Sequence, residues 1–146
     1  MDLHGTLGIS ASALRAERLR LDVIASNLAN ANTTRTAEGG PYVRRNVVFM
    51  TQPMESPFGE TLASLSEEGA RAGVKVSDVV DDKTPPRLVF DPGHPDANKD
   101  GYVAYPNVNP VTEMVDLMAA TRAYEANVQT VNATKKMAEA ALSIGG

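Results

Sequence analysis

Leu7, Leu14, Leu21 and Leu28 recur at intervals of seven, and this spacing commits the start of the chain to a helix with a narrow apolar seam. Ala11 and Ala25 follow Leu7 and Leu21 by four residues, while Ile24 and Ala31 follow Leu21 and Leu28 by three. Steps of three and four return to the same face of a helix. Arg15, Arg18, Arg20 and Asp22 fall mostly off that face. The pattern predicts a helix over residues 6–30. The run Asn30-Ala31-Asn32-Thr33-Thr34 should end it, because these side chains favour caps and turns over helix interior.

The other end of the chain repeats the device. A second helix should begin near Val111, with Pro110 in its first turn and Asn109 as N-cap. Glu113 and Asp116 sit in its opening turns, where the helix dipole favours negative charge. Met114, Leu117, Thr121, Tyr124, Val128, Val131, Lys135, Ala138 and Leu142 follow at spacings of three and four. At 1.5 Å per residue the two helices would be about 35 and 50 Å long.

Two long helices without a third cannot close a four-helix core, but they can pair. The expected fold is therefore mainly α with a small β insert. The N- and C-terminal helices would pair as a coiled-coil-like unit (residues 1–35 and 106–146), with an irregular β-rich domain (36–105) between them. Such a pair leaves apolar side chains on its flanks, including Met118, Met137 and Ile144. Burying one Leu-sized side chain is worth about 1.5–3 kcal/mol, so assembly with further subunits is the natural remedy. Leu7, Leu14, Leu21, Ile24 and Leu28 are the expected subunit interface on the first helix. On the second it comprises Met114, Leu117, Met118, Thr121, Tyr124, Val128, Val131, Ala138 and Leu142.

Between the helices the periodicity fades and most of the Gly and Pro appear. Tyr42-Val43, Asn46–Met50, Gly73–Ser77 with Val79-Val80, and Arg87–Phe90 read as strands. The stretch from about Gln52 to Arg71, rich in Ser, Glu and Gly, reads as a surface loop.

Composition removes several classes of function. The formal charge is -4, so the basic surplus of a nucleic-acid binder is missing. There is no cysteine, which rules out disulfides and thiolate metal sites. The low aromatic content, with no Trp, leaves Ala, Val, Leu and Met to fill the interior. No stretch is long and apolar enough to span a bilayer as a helix. The first residues do not read as a cleavable signal peptide, because charges interrupt the apolar run.

Chemical motifs are few. Asp96-Ala97-Asn98-Lys99-Asp100-Gly101 matches the first half of a calcium loop, and a calcium-dependent binding module would use it. The twelfth position is Asn107 in place of a bidentate Glu, and Pro95 and Pro106 flank the loop, so an Asx-rich turn is the simpler reading. His4 and His94 stand alone, and no nucleophile elbow or phosphate loop is present. Glu67-Glu68 and Asp81-Asp82 are sequence neighbours, whose side chains point to different sides and so do not make an acid–base pair by adjacency. No catalytic, cofactor or metal residue is assigned.

The segment Ser26-Asn27-Leu28-Ala29-Asn30-Ala31-Asn32-Thr33 resembles the S-N-x-A-N-x-x-T signature of the flagellar rod and hook axial family. Asp91–Ala97, Gly101–Val103, Tyr105-Pro106-Asn107-Val108-Asn109-Pro110, Glu113–Asp116 and Arg122–Asn127, with Glu125 and Asn127 in the last, resemble its proximal rod members more specifically. Gly73–Val76 and Pro85–Leu88 agree with them too. The 91–110 stretch is the discriminator against the sibling rod proteins FlgB and FlgF, which stay open as alternatives.

Several expectations follow from the resemblance. The chain would be a structural subunit and not an enzyme. It would leave the cytoplasm through the flagellar type III export apparatus, without signal cleavage. It would form part of the proximal rod across the periplasm, with copies of itself and with FlgB, FlgF, FlgG and FliE. There it would carry torque from motor to hook. The terminal helices would make the inner tube and the middle would pack outside it. Apart from the resemblance, Asn127 and Asn132 are unfavourable inside a helix by propensity, and the expectation is that they make polar contacts between subunits and set register.

Overall fold

The computed structural model describes residues 3–53 and 72–144. The element order is α1 (Leu3–Ala29), β1 (Arg45–Pro53), β2 (Ala72–Asp81), β3 (Arg87–Phe90), β4 (Tyr102–Tyr105) and α2 (Pro110–Ile144). Two long helices therefore flank two small sheets, β1 with β2 and β3 with β4.

Helix α1 stops where its sequence provides competing acceptors and donors. The Asn30 side-chain amide donates to the Ser26 carbonyl at 2.9 Å, and the Asn30 carbonyl and side-chain oxygen receive the Thr33 N–H and hydroxyl. At the start of α2 the Asn109 side-chain oxygen accepts the Val111 N–H at 3.0 Å, the N-cap bond expected from the sequence. Pro110 occupies the first helical position, where its missing N–H is no loss.

Strand β3 pairs antiparallel with β4, with Arg87 opposite Tyr105, Leu88 opposite Ala104, Val89 opposite Val103 and Phe90 opposite Tyr102. Alternation gives this hairpin two unlike faces. Val103 is fully buried on one face, whereas Leu88 and Phe90 on the other are each 63% exposed. The 91–101 connection is closed by its own hydrogen bonds. Asp91 donates its N–H to the Gly101 carbonyl, and the Asn98 side-chain oxygen accepts the N–H groups of Asp100 and Tyr102. Gly101 has a φ of +80°, and a Cβ there would lie 2.9 Å from the Phe90 ring, so only glycine fits.

Beside the other sheet, the Asp82 N–H bonds the Arg44 carbonyl just outside the paired strands. Gly73 in β2 packs against Ser12 of α1, whose hydroxyl accepts the Val74 N–H at 3.0 Å. A Cβ on Gly73 would come within 2.8 Å of that hydroxyl.

The strands differ from the sequence reading in three places. Tyr42 and Val43 precede β1 and are not part of it. The Tyr42 N–H goes instead to the Thr33 carbonyl, which holds the segment against the exit of α1. Strand β1 continues through Gln52 to Pro53, so the expected loop starts later; its remainder, 54–71, lies outside the described residues, as do Glu67 and Glu68. Strand β4 was not expected as a strand, since four residues beside a proline carry little periodic signal.

The chain forms two compact units, one from Met1–Arg18, Phe49–Ser77 and Thr121–Gly146, the other from Leu19–Val48 and Asp78–Ala120. Among the described residues the buried apolar ones are Ala16, Ile24, Ala31, Val103 and Ala120. Nearly as many buried residues are polar: Ser10, Asn27, Glu113 and Thr134.

Candidate functional site

The feature that organises the unit of Leu19–Val48 and Asp78–Ala120 is a buried polar cluster centred on Asn27 and Glu113, each 1% exposed. Asn27 lies in the last turns of α1. Its amide nitrogen donates to the Arg45 carbonyl at 2.8 Å and to Glu113 Oε2 at 3.1 Å. Its side-chain oxygen accepts the Arg45 N–H and the Tyr42 hydroxyl, both at 3.0 Å. The side chain thus bonds both backbone groups of Arg45, as a neighbouring strand would. An amide can do this because it carries donors and acceptors together, and both its nitrogen and its oxygen are bonded here.

Glu113 is the second hub. Arg44 Nε donates to its Oε1 at 2.7 Å, a charge-assisted contact inside the fold. The same guanidinium bonds Asn46 Oδ1 at 2.7 Å and lies 3.6 Å from Asp82 and 3.8 Å from Asp116. Hydrogen bonds from the Thr84 hydroxyl and N–H hold the Asp82 carboxyl below its ordinary value of 3.8, against a smaller opposing effect of burial, with Arg44 adding a lesser lowering still. The cluster ties the end of α1, the start of β1, the end of β2 and the first turn of α2 to one another. The sequence reading placed Glu113 in the first turn for the helix dipole; its principal partner is Arg44.

The remaining motif residues gather nearby. Tyr105 takes the Arg87 guanidinium 5.8 Å over its ring and the His94 ring edge at 6.3 Å. Pro106 is buried, and Asn107 and Asn109 lie on the surface. With Ala31, Asn32, Arg87, Val108 and Pro110, these three residues line a cleft of about 450 Å³. Thr34 donates to Asp96 at 2.8 Å and Arg35 lies 3.8 Å from it, tying the exit of α1 to the 91–101 loop. In the suspected calcium segment, Asp96 turns to Thr34 and Asn98 to backbone N–H groups; no group of three or more His, Asp or Glu placed to hold a metal occurs among the described residues. His94 Nδ1 accepts the Asp96 N–H, and the His4 side chain lies outside the described residues.

The seam residues are distributed along the helices and do not form one site. Leu7, Leu14, Leu21 and Leu28 are half-buried, while the most covered positions of α1 are Ser10, Ala16, Ile24 and Asn27, with Ala31 buried just past its end. On α2, Leu117, Tyr124, Val128, Val131 and Ala138 are half-buried, and Met114, Met118, Thr121 and Leu142 are exposed. Asn127 donates to the Ala123 carbonyl of its own helix at 2.9 Å, and Asn132 and Glu125 are exposed. Sequence reading missed Tyr42, Arg44 and Asp82 as partners of the motif. The only signal for Arg44 was a charge placed directly before an apolar strand.

Comparison with known proteins identifies the family. The family described as Flagella basal body rod protein matches residues 7–35, and the C-terminal family of flagellar basal body rod FlgEFG proteins matches 99–144. The flagellar basal-body rod protein FlgC of Bacillus subtilis is 50% identical over 150 residues, spanning 99% of both chains. FlgC of Borreliella burgdorferi is 42% identical, over 99% of this chain and 98% of its own. FlgC of Escherichia coli O6:H1 is 41% identical over 99% of each. The Asn27 cluster lies where the N-terminal rod signature meets the C-terminal matched region, and agreement along nearly the whole length shows that the chain belongs to the FlgC family of flagellar basal-body rod proteins.

Proposed function

We propose that this chain builds the proximal rod of the flagellum, where it crosses the periplasm and carries torque from motor to hook. It is a structural subunit of the basal body, as its family is, and its work is load-bearing and not catalytic. The observation that carries the reading is the Asn27–Glu113–Arg44 cluster. A subunit under torsion needs its long helices held at fixed angles, and a buried, fully bonded ionic cluster resists shear because any sliding leaves charge unpaired. Such a cluster acts at one place, so the rest of each helix must be held by neighbours.

In this reading the terminal segments 1–35 and 106–146 pair as a coiled-coil-like unit and form the inner tube, and 36–105 packs outside. The neighbours are copies of this chain together with FlgB, FlgF, FlgG and FliE, and export is through the flagellar type III apparatus. Half-buried Leu7, Leu14, Leu21 and Leu28, with exposed Met118 and Leu142, supply apolar surface for neighbouring subunits. Helical assembly through unlike contacts makes open tubes of this kind.

Deleting residues 117–146 in a motile host tests the proposal. Export of the truncated chain with no rod in isolated basal bodies is the expected result. Complete rods and normal swimming would overturn it.

A further inference from the structure

The first three turns of α2 are inside out for a helix meeting water. The two carboxylates of this stretch, Glu113 and Asp116, both turn toward Arg44. The outer face carries Val111, Met114, Val115 and Met118, which are 65, 46, 54 and 55% exposed. These positions are spaced by three, one and three, which makes one stripe about 10 Å long at 1.5 Å per residue. The other exposed residues of the stretch, Pro110, Thr112 and Ala119, are also uncharged. A helix exposed to solvent normally shows the opposite arrangement.

The same compact unit displays a second uncharged apolar face. On the outer side of the β3–β4 hairpin, Leu88 and Phe90 are 63% exposed and Tyr102 is 42% exposed. The Tyr102 and Phe90 rings meet edge to face with centroids 5.3 Å apart, a favourable aromatic pair. A four-residue strand is also about 10 Å long, matching the helix stripe. Both faces are open in one chain, so neither covers the other.

We propose that the α2 stripe of one copy docks on the outer β3–β4 face of a second copy. The contact joins unlike surfaces, so repeating it propagates an open array and does not close a dimer. Its size argues the same way. Each face offers a few hundred Å² of apolar surface, less than the ~800 Å² per partner of a stable complex, so the contact holds only where an assembly repeats it. This rests on the rod reading and adds to it the surfaces through which copies of this chain touch.

The chain has no cysteine, so introduced thiols are unambiguous reporters. Val115→Cys and Leu88→Cys would be placed on separately tagged full-length copies, expressed together in a motile host, and linked with a short bifunctional reagent in isolated basal bodies. A mixed-tag adduct that forms only when both variants are present, and is lost when Met118→Glu is added to the Val115→Cys copy, is the expected result. Adducts of Val115→Cys with itself, adducts with a different protein only, or no adduct from basal bodies that contain both tagged copies would each overturn the docking. If neither tagged copy enters the basal bodies while wild-type chain does, the pair is moved to Thr112→Cys and Tyr102→Cys and the same outcomes decide. Absence of the wild-type chain from basal bodies would overturn the rod reading itself.

Discussion

The two halves of α2 are held by different means. Its first turns are fixed from outside the helix: Asn109 caps it, Glu113 receives Arg44 and Asn27, and Asp116 faces the same guanidinium. Beyond Thr121, the hydrogen bonds and the ion pair seen among the described residues run within the helix. Asn127 bonds the Ala123 carbonyl, Thr130 that of Ala126, Thr134 that of Thr130, and Lys135 pairs with Glu139 one turn on. One half is specified by residues distant in sequence, the other by residues three or four positions away. Local bonds keep a helix helical but do not say where it points. Direction at the near end comes from the cluster.

The sharpest way to break this comparison is Asn27→Asp. The variant keeps the shape but replaces the amide nitrogen, which donates to the Arg45 carbonyl and Glu113, with an acceptor. Two buried acceptors lose their donor and two carboxylates face each other, for a loss of about 4 kcal/mol in urea denaturation. Like charges side by side raise the proton affinity of the pair, so acidification restores a donor and the loss should shrink as pH falls. A loss below about 1 kcal/mol at neutral pH would mean the cluster does not anchor the helix ends.

Asn109→Ala sharpens it at intermediate scale. Only the capping bond to the Val111 N–H is lost, at a cost of about 1 kcal/mol. Amide exchange should quicken in the first turn of α2 and stay unchanged around residues 127–139. Faster exchange along the whole helix would contradict the division into two halves.

The smallest effect is expected in the far half. Lys135→Ala removes an exposed i, i+4 ion pair with Glu139, worth about 0.3–0.5 kcal/mol and weaker in high salt. A loss of several kcal/mol in the isolated chain would reveal a distant partner and remove the contrast.

The sequence by itself determined the two helices, their caps and the β3 strand. These follow from local rules: apolar spacing and an Asn before a Pro. Asn30 and Asn109 act at the helix ends as read, and the rod signature identified the family. Local rules could not reach the cluster. Asn27 and Glu113 are 86 positions apart, and Asn27 and Arg45 are 18 apart. In the sequence Asn27 is one polar residue among several at a helix end, and Glu113 an ordinary first-turn acid. Only the tertiary structure brought the carboxylate beneath Arg44 and the amide against the backbone of β1. It also decided which face of α2 is outside. Periodicity marks a stripe as apolar, but whether that stripe is covered depends on where the chain's other elements come to rest. Here the buried ion pair holds Glu113 and Asp116 inward and so turns Val111, Met114, Val115 and Met118 to the surface.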